Sequence, residues 1–512
     1  MQGVLWKLNG FDKLKDIKQL EDYEPRHDPT VAPGRNPPFT EKSSLLDLPR
    51  PRLRQNASSY YTCADYHELF KSGRLTPLDV VEHIIPLVSC ENISPSKYSV
   101  AFLQVRADLV RAAAKASTER YKKGQPLSVL DGVPVAVKDE VDLAGHRRTL
   151  GSKLDFTNPN DETAWCVEKW QQAGAIILGK TNMHELGLDT TNNNPHTGTP
   201  LNPHNSGYYT GGSSGGSACV TAQGLCPLTL GADGGGSIRL PSSFCGIYGL
   251  KPTHSQVSGR PTRDLGVSVG VYGPMASSID DLATGYRIMA QPDPGHRGSA
   301  LFPESLVSST PSIHPPGSTR YLGICRDWVD RADKPVLDMF EAAVTHYAKA
   351  YGYEVVEIQI PFLPQGQKAH AMTILSEIRS GVTTEQISQL TYANQLLLNV
   401  AGSHATAQDF LFAQRLRDLL MSHLAWLWEE YPGMLILTPT TPCAGWKIGK
   451  ATDITSGYGV SDGDMSLRSM EYVYLANFTG CPALSCPLGY AETIPVGIMV
   501  CSLFFPFISH HV

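Results

Sequence analysis

The sequence predicts an α/β protein built on one large mixed, mostly parallel sheet with helices covering both faces. Three observations carry that expectation. Short apolar runs such as VPVAVK (133–138) and AIILG (175–179) read as strands buried on both sides. Amphipathic helical patterns alternate with such runs along the chain. The 512 residues, 41% hydrophobic and 18% charged, supply a large core and argue against global disorder.

The elements follow in order. Residues 1–58 read as an N-terminal arm, because 24–54 is rich in Pro, Arg and Asp with little periodicity and is expected to drape over the surface. Thr76-Pro77 is an N-cap with proline at the first helical position, and a second helical pattern covers 106–123. The strand 133–138 ends at Lys138. A helix over 163–174 closes on Gly174, and the strand 175–179 follows at once. Downstream, 336–352 is a helix stopped by Gly352, with YEVVEIQI as the next strand. A long helix over 407–430 leads into MLIL (434–437). The Pro-, Gly- and Ser-rich stretch 291–320 reads as a surface connection inside one principal domain, 59–500.

Composition removes several function classes. The formal charge is −6 with no dense Lys/Arg stripe, which argues against nucleic-acid binding. Eleven cysteines without a CxxC pair argue against a zinc ribbon or disulfide scaffold and for a reducing, cytoplasmic location. The first residues lack an apolar signal region, and the uncharged stretch after Glu492 is broken by two prolines, so no transmembrane segment is expected.

The chemistry concentrates in 206–259. Two clusters, GGSSGGSA (211–218) and GADGGGSIR (231–239), set serines among glycines, whose backbones approach a ligand closely with N–H groups turned inward. A flexible linker would not run directly into CVTAQGLCPLTL and FCGIYGL. Neither cluster places a lysine as a phosphate loop requires, and GADGGG is not GxGxxG. His184-Glu185 lacks the second histidine of HExxH, so no metal site is assigned. Gly211–Gly215 does match GxSxG, which would make Ser213 the nucleophile of an α/β-hydrolase esterase. That reading needs a strand before it and a downstream histidine, for which His254, His296 and His314 are available.

These clusters, with DGVPVAVKDEVD (131–142), GAIILGKTNMHELG (174–187), GPMASSIDD (273–281), LTPTTP (437–442) and ANFTGCPALSCPLG (476–489), resemble the amidase signature enzymes from about Tyr60 to Val500. The resemblance implies an amidase that cleaves a carbon–nitrogen bond through an acyl-serine. Lys138 would be the base, Ser213 the bridging proton shuttle and Ser237 the nucleophile. It also implies a cis peptide at Gly212–Ser213, and an oxyanion hole from the backbone N–H groups of Gly234, Gly235, Gly236 and Ser237. Asp233 and Arg239 are expected to support the loop rather than react. No cofactor is implied, the partner is a small-molecule amide, and a homo-oligomer is left open. The residue types suit this chemistry, since a serine hydroxyl needs a base, a lysine serves only when neutral, and an apolar strand favours that form.

Within the family the substrate stays open among aliphatic, aryl and fatty-acid amides, small specialised metabolites, and glutamine for a tRNA-dependent amidotransferase. The lack of a membrane-binding helix weighs against a lipid-amide specialist. Specificity is expected in loops around 185–200 and 365–400. The family continues past PVGIMV (495–500) into a turn and a closing helix, whereas this chain runs CSLFFPFISHHV. That atypical tail, 501–512, predicts an uncovered part of the sheet, lower stability and, as an alternative function, an inactive binding protein.

Overall fold

Residues 6–31, 60–89, 96–304, 318–455 and 459–503 are described by the computed structural model. Their eleven strands are β1 (Phe102–Gln104), β2 (Pro134–Lys138), β3 (Ile176–Thr181), β4 (Leu228–Asp233), β5 (Tyr248–Lys251), β6 (Val271–Ala276), β7 (Arg320–Ile324), β8 (Tyr353–Glu357), β9 (Leu435–Pro439), β10 (Ala483–Ala491) and β11 (Ile494–Cys501). They form one sheet in the order β1-β3-β2-β4-β6-β5-β10-β11-β9-β7-β8.

The mixed α/β sheet is as expected, but its parallel share is smaller. β3, β2 and β4 are parallel neighbours, as are β8, β7 and β9. Between and outside these blocks the pairs are antiparallel, including the hairpin β10–β11 with Ala491 opposite Ile494. The cause is burial. The Ile494–Val500 stretch of β11 is buried on both faces, so a hairpin strand carries the same unbroken apolar text as a parallel one. This burial also removes the expected bare patch at β11, where Ile494, Val496, Ile498 and Val500 are all enclosed. The tail beyond 503 lies outside the described residues.

The helices fall where capping chemistry puts them. Thr76 and Thr406 close capping boxes on Pro77–Val88 and Ala407–Glu430, and Gly352 ends Lys334–Tyr351 in the left-handed conformation at φ 69°. YEVVEIQI contains the expected strand, β8, which is a sheet edge with Glu354, Val355 and Glu357 exposed. The arm is more tightly held than expected over 6–31. Leu14 and Leu20 are buried in the core that includes Ala407–Glu430, and the Arg26 N–H donates to Gln414 O at 3.2 Å. Residues 32–59 lie outside the described residues.

What matters for function is the parallel block β3-β2-β4. Lys138 is the last residue of β2 and Asp233 the last of β4, with Val137 paired to Leu230. Both strands therefore deliver their chain ends to one edge, where open α/β sheets bind ligands.

Candidate active site

Lys138 sits at the end of β2, buried, with Nζ 2.8 Å from Ser213 Oγ and 3.2 Å from the Ala232 carbonyl oxygen on β4. A third partner is Glu140 Oε2, also at 2.8 Å. Ser213 lies in the loop that leads into the helix Gly215–Ala222, after a cis Gly212–Ser213 peptide. That helix is made of small residues because it is packed tightly: a Cβ on Gly216 would stand 2.3 Å from Asn182 O. Ser217 Oγ donates to Leu230 O at 3.0 Å and Ser214 Oγ to Ala232 O at 3.1 Å, pinning loop and helix to β4.

Ser237 follows β4 through the glycines 234–236. The Ser214 N–H donates to Ser237 O at 3.1 Å, so the two serine clusters meet at their backbones. Gly236 has φ 115°, and a Cβ there would lie 2.3 Å from Val473 Cγ2, so a side chain is excluded on both counts. Asp233 organises this turn. Its Oδ1 accepts from the Gly236 N–H at 2.7 Å, and its Oδ2 accepts from the Ile238 N–H at 3.0 Å and from Arg239 Nε at 3.0 Å. Asn477, from the ANFTG block, donates to Asp233 O at 2.8 Å and accepts from Arg239 Nη2 at 2.7 Å. Burial pushes the Asp233 carboxyl up, but the Arg239 charge and hydrogen bonds outweigh it and hold the group well below the usual carboxylate range.

One expected donor is thereby corrected. The Gly236 N–H is spent on Asp233, and Gly236 does not line the cavity, whereas Gly234, Gly235 and Ser237 do. The reason is steric: a turn tight enough to present Ser237 rotates one of its amides back onto the carboxylate that anchors it.

The cavity above these groups has a volume of about 740 Å³. Its floor holds Lys138, Ser213, Ser237 and the glycine turn. Its wall is largely apolar, with Leu186, Leu188, Ile374, Leu375, Leu396 and Met470 among the lining side chains. The regions expected to carry specificity do reach it, through 186–190 and through the helices Leu363–Gly381 and Tyr392–His404. Among the described lining residues, Lys138 and His370 are the basic ones, while Glu140, Asp189, Asp264, Asp462 and Asp464 bring carboxylates.

Several of these residues are invisible to sequence reasoning. His370 Nε2 donates to Gly234 O at 2.8 Å and so props the glycine turn; burial lowers its pKa to about 4. Nothing in the sequence around it marks the position. Glu185, whose one sequence mark is an incomplete HExxH, latches the cavity wall: it accepts from His196 Nε2 at 3.0 Å and from the Thr391 N–H at 2.8 Å. Burial pushes the Asp264 carboxyl up to about 6, and the Tyr272 hydroxyl donates to it. Glu140 lies inside DGVPVAVKDEVD, two residues past Lys138, but with Asp139 beside it the spacing does not tell which carboxylate reaches the amine.

The esterase reading loses its support. Residues 206–214 carry isolated bridges rather than a strand, and the group at Ser213 Oγ is Lys138 Nζ. His254 and His296 do not line the cavity, and His314 lies outside the described residues. The inactive reading required these side chains to stay apart, and Lys138 and Ser213 are in contact. Among the described residues no group of His, Cys, Asp and Glu has the arrangement of a metal site, and no helix is long and apolar enough to cross a membrane.

Comparison with known proteins agrees with this architecture. A family model described as Amidase matches residues 88–505. The fatty acid amide hydrolase of Medicago truncatula is 35% identical over 481 residues, covering 90% of this chain and 77% of that protein. One subunit of the glutamyl-tRNA(Gln) amidotransferase of Archaeoglobus fulgidus is 32% identical over 413 residues, 76% of this chain and 86% of its own length. Among solved structures, a protein from a vestigial complex related to an s-triazine catabolic enzyme matches with a TM-score of 0.75 at 28% identity, over 87% of this chain and 95% of that one.

Proposed function

The chain belongs to the amidase family and hydrolyses amide carbon–nitrogen bonds, and from that premise we propose that it cleaves amides of long apolar acyl chains through an acyl-Ser237 intermediate. The observation that carries the reading is the 2.8 Å contact between Lys138 and Ser213 on the floor of an apolar cavity that Ser237 also lines. Neutral Lys138 takes the Ser213 proton as Ser213 takes that of Ser237, and Ser237 Oγ attacks the carbonyl. The N–H groups of Gly234, Gly235 and Ser237 face the oxyanion, and loss of one such donor costs on the order of 10²–10³ in rate. The proton returns through Ser213 to the departing amine as the C–N bond breaks. Water then enters by the same relay, adds to the acyl carbon and releases Ser237. Asp233 and Arg239 hold the turn in shape.

The acyl preference rests on the wall. Leu186, Leu188, Ile374, Leu375 and Leu396 give a long chain an apolar surface, at roughly 0.8 kcal/mol per buried CH₂. The similarity to fatty acid amide hydrolases supports it too, and outweighs the expectation against a lipid amide drawn from the sequence. Glutamine fits less well. Its α-carboxylate calls for a cation, and the basic groups among the described lining residues are Lys138 on the reaction floor and His370, which is held on Gly234. The ten described cysteines are all free, which supports the reducing, cytoplasmic setting of the same proposal.

The test is a fluorophosphonate probe with the modified residue mapped by mass spectrometry, beside hydrolysis of a long-chain primary amide and of glutamine. Wild type is expected to be labelled at Ser237 and to prefer the long chain. Ser237→Ala is expected to lose labelling and about 10⁴-fold or more in kcat/KM, and Lys138→Ala at least 10³-fold. Hydrolysis that survives Ser237→Ala, or a preference for glutamine, overturns the reading.

A further inference from the structure

We propose that Glu140 is a fourth member of the relay, a positioning residue that orients the Lys138 amine toward Ser213 and neutralises the ammonium formed there when Ser237 attacks. The proposal rests on the amidase reading above and deepens it. It stands on the three neighbours of Lys138 Nζ: Ser213 Oγ at 2.8 Å, Ala232 O at 3.2 Å and Glu140 Oε2 at 2.8 Å. A carbonyl and an ionised carboxylate only accept hydrogen bonds, whereas a serine hydroxyl also donates. A neutral amine has two N–H groups and one lone pair. With two acceptor-only partners taking its two hydrogens, the lone pair is left facing Ser213, the one neighbour able to give it a proton. After transfer, the third hydrogen returns as a donor to Ser213 Oγ and the same three contacts persist. The same heavy-atom contacts serve both states, and the new positive charge appears beside a carboxylate.

The placement of Glu140 is built into the fold. Lys138 ends β2, and the chain turns at once. Asp139 points away from the amine: its Oδ2 accepts from the Thr149 N–H at 3.0 Å, from Thr149 Oγ1 at 2.6 Å and from the Gly151 N–H at 3.1 Å. Glu140 turns back over the cavity floor, and its own carbonyl is clamped by buried Arg148, whose Nε donates at 2.7 Å. Glu140 lines the cavity and reaches Lys138 from the turn after β2, while the Ala232 contact comes from β4. The balance needs only the water of hydrolysis. In acylation the Ser237 proton passes to Ser213 as that of Ser213 passes to Lys138, and Lys138 then returns one proton through Ser213 to the leaving amine. In deacylation a proton of the attacking water takes the same path and is returned through Ser213 to Ser237.

Other charged groups face this pair from each neighbouring element. They are Asp233 with Arg239 at the end of β4, Lys180 with Asp139 beside β3, Asp142 and Arg148 in the following loop, and Asp189 across the cavity. Asp264 and Tyr272 stand on the next wall, and His370 and Glu377 on the helix Leu363–Gly381. All of them stay in place in Glu140→Gln, which keeps the side-chain length and an acceptor oxygen and removes one charge.

The experiment is the pH profile of kcat/KM for the amide that wild type hydrolyses, with the rate of fluorophosphonate labelling at Ser237 as a second readout. A carboxylate beside an amine favours its charged form, so taking the charge away is the change the profile reads. In Glu140→Gln the acid limb of both profiles is expected to move down by roughly one pH unit, and the plateau to fall about tenfold because the developing charge is no longer balanced. Glu140→Asp, with charge kept and reach shortened, is expected to restore the limb but not the full plateau. Unchanged limbs and plateaus within twofold in a glutamine variant whose melting temperature matches wild type overturn the proposal. If Glu140→Gln does not fold, Glu140→Asp decides: a limb displaced by a unit or a plateau equal to wild type refutes it. Wild type that is never labelled at Ser237 is a failure of the amidase reading instead, seen before any variant is made.

Discussion

The floor and the wall of the cavity are built on different principles. On the floor, a few side chains and a glycine turn are fixed by a dense, buried polar network. Asp233 alone accepts from Gly236, Ile238, Arg239 and Asn477, and Lys138 is gripped from three sides. On the wall, helices such as Leu363–Gly381 and Tyr392–His404 present interchangeable aliphatic groups, tied down at a few points such as Glu185 to Thr391. The difference follows from what each must do. The proton relay and oxyanion site proposed for the floor require angstrom placement, which directional hydrogen bonds in a low dielectric supply. Binding the apolar chain proposed for the wall requires area and little direction, which aliphatic packing supplies.

The comparison can be broken most forcefully at Asp233. Asp233→Asn leaves buried Arg239 without its carboxylate and is expected to cost about 3–5 kcal/mol of unfolding free energy in chemical denaturation. The pH dependence has a definite sign. The folded pKa of Asp233 is depressed, so its contribution is complete above the unfolded value of about 3.9 and disappears as pH falls through the lower folded value. The gap between wild type and variant is therefore expected to stay constant from pH 5 to 8 and to close in strong acid. A gap below about 1 kcal/mol at pH 7 would mean the floor is no more tightly determined than the wall.

A bulky residue on the wall sharpens the same contrast. Leu375→Trp is expected to lower kcat/KM for a long-chain amide about tenfold relative to a two-carbon amide, measured side by side, because it narrows the apolar space and leaves the relay in place. Equal losses on both substrates would place Leu375 with the floor. The smallest effect is at Asp264, where wall meets floor. Its folded pKa is raised to about 6 by burial, so stability present below the unfolded value is lost as pH rises through 6. Asp264→Asn removes that loss. Relative to wild type it is expected to gain on the order of 1 kcal/mol between pH 4 and pH 7.5, read from urea unfolding at each pH.

Legibility divided along the same line. The residues of the floor were singled out by a resemblance carried on short local motifs: Lys138 at a strand end, Ser213 and Ser237 inside glycine clusters, Asp233 and Arg239 flanking the turn. Even there two features stayed hidden. The engagement of the Gly236 N–H depends on the rotation of one peptide, and the contact of Glu140 with Lys138 on a turn that sends Asp139 the other way. The wall was readable only as a pair of regions, 185–200 and 365–400. A helix pattern tells which face is apolar but not what lies opposite it, so His370 carried no mark of its contact with Gly234, 136 residues away.

Sheet topology shows the limit most plainly. The buried runs established that strands exist and that both faces are covered, because apolar text is a record of burial. They carried no information on direction, since a central hairpin such as β10–β11 and a crossover pair such as β2–β4 bury the same side chains. By itself, then, the sequence determined the α/β class, the strand-end lysine, the two serine–glycine turns and the family they belong to, all properties of short segments and their backbone requirements. Tertiary structure decided strand direction, which residues of the glycine turn line the cavity, and which carboxylate stands beside Lys138. Each of these is set by contacts between residues distant in sequence or by a single turn of the chain, and no local pattern encodes them.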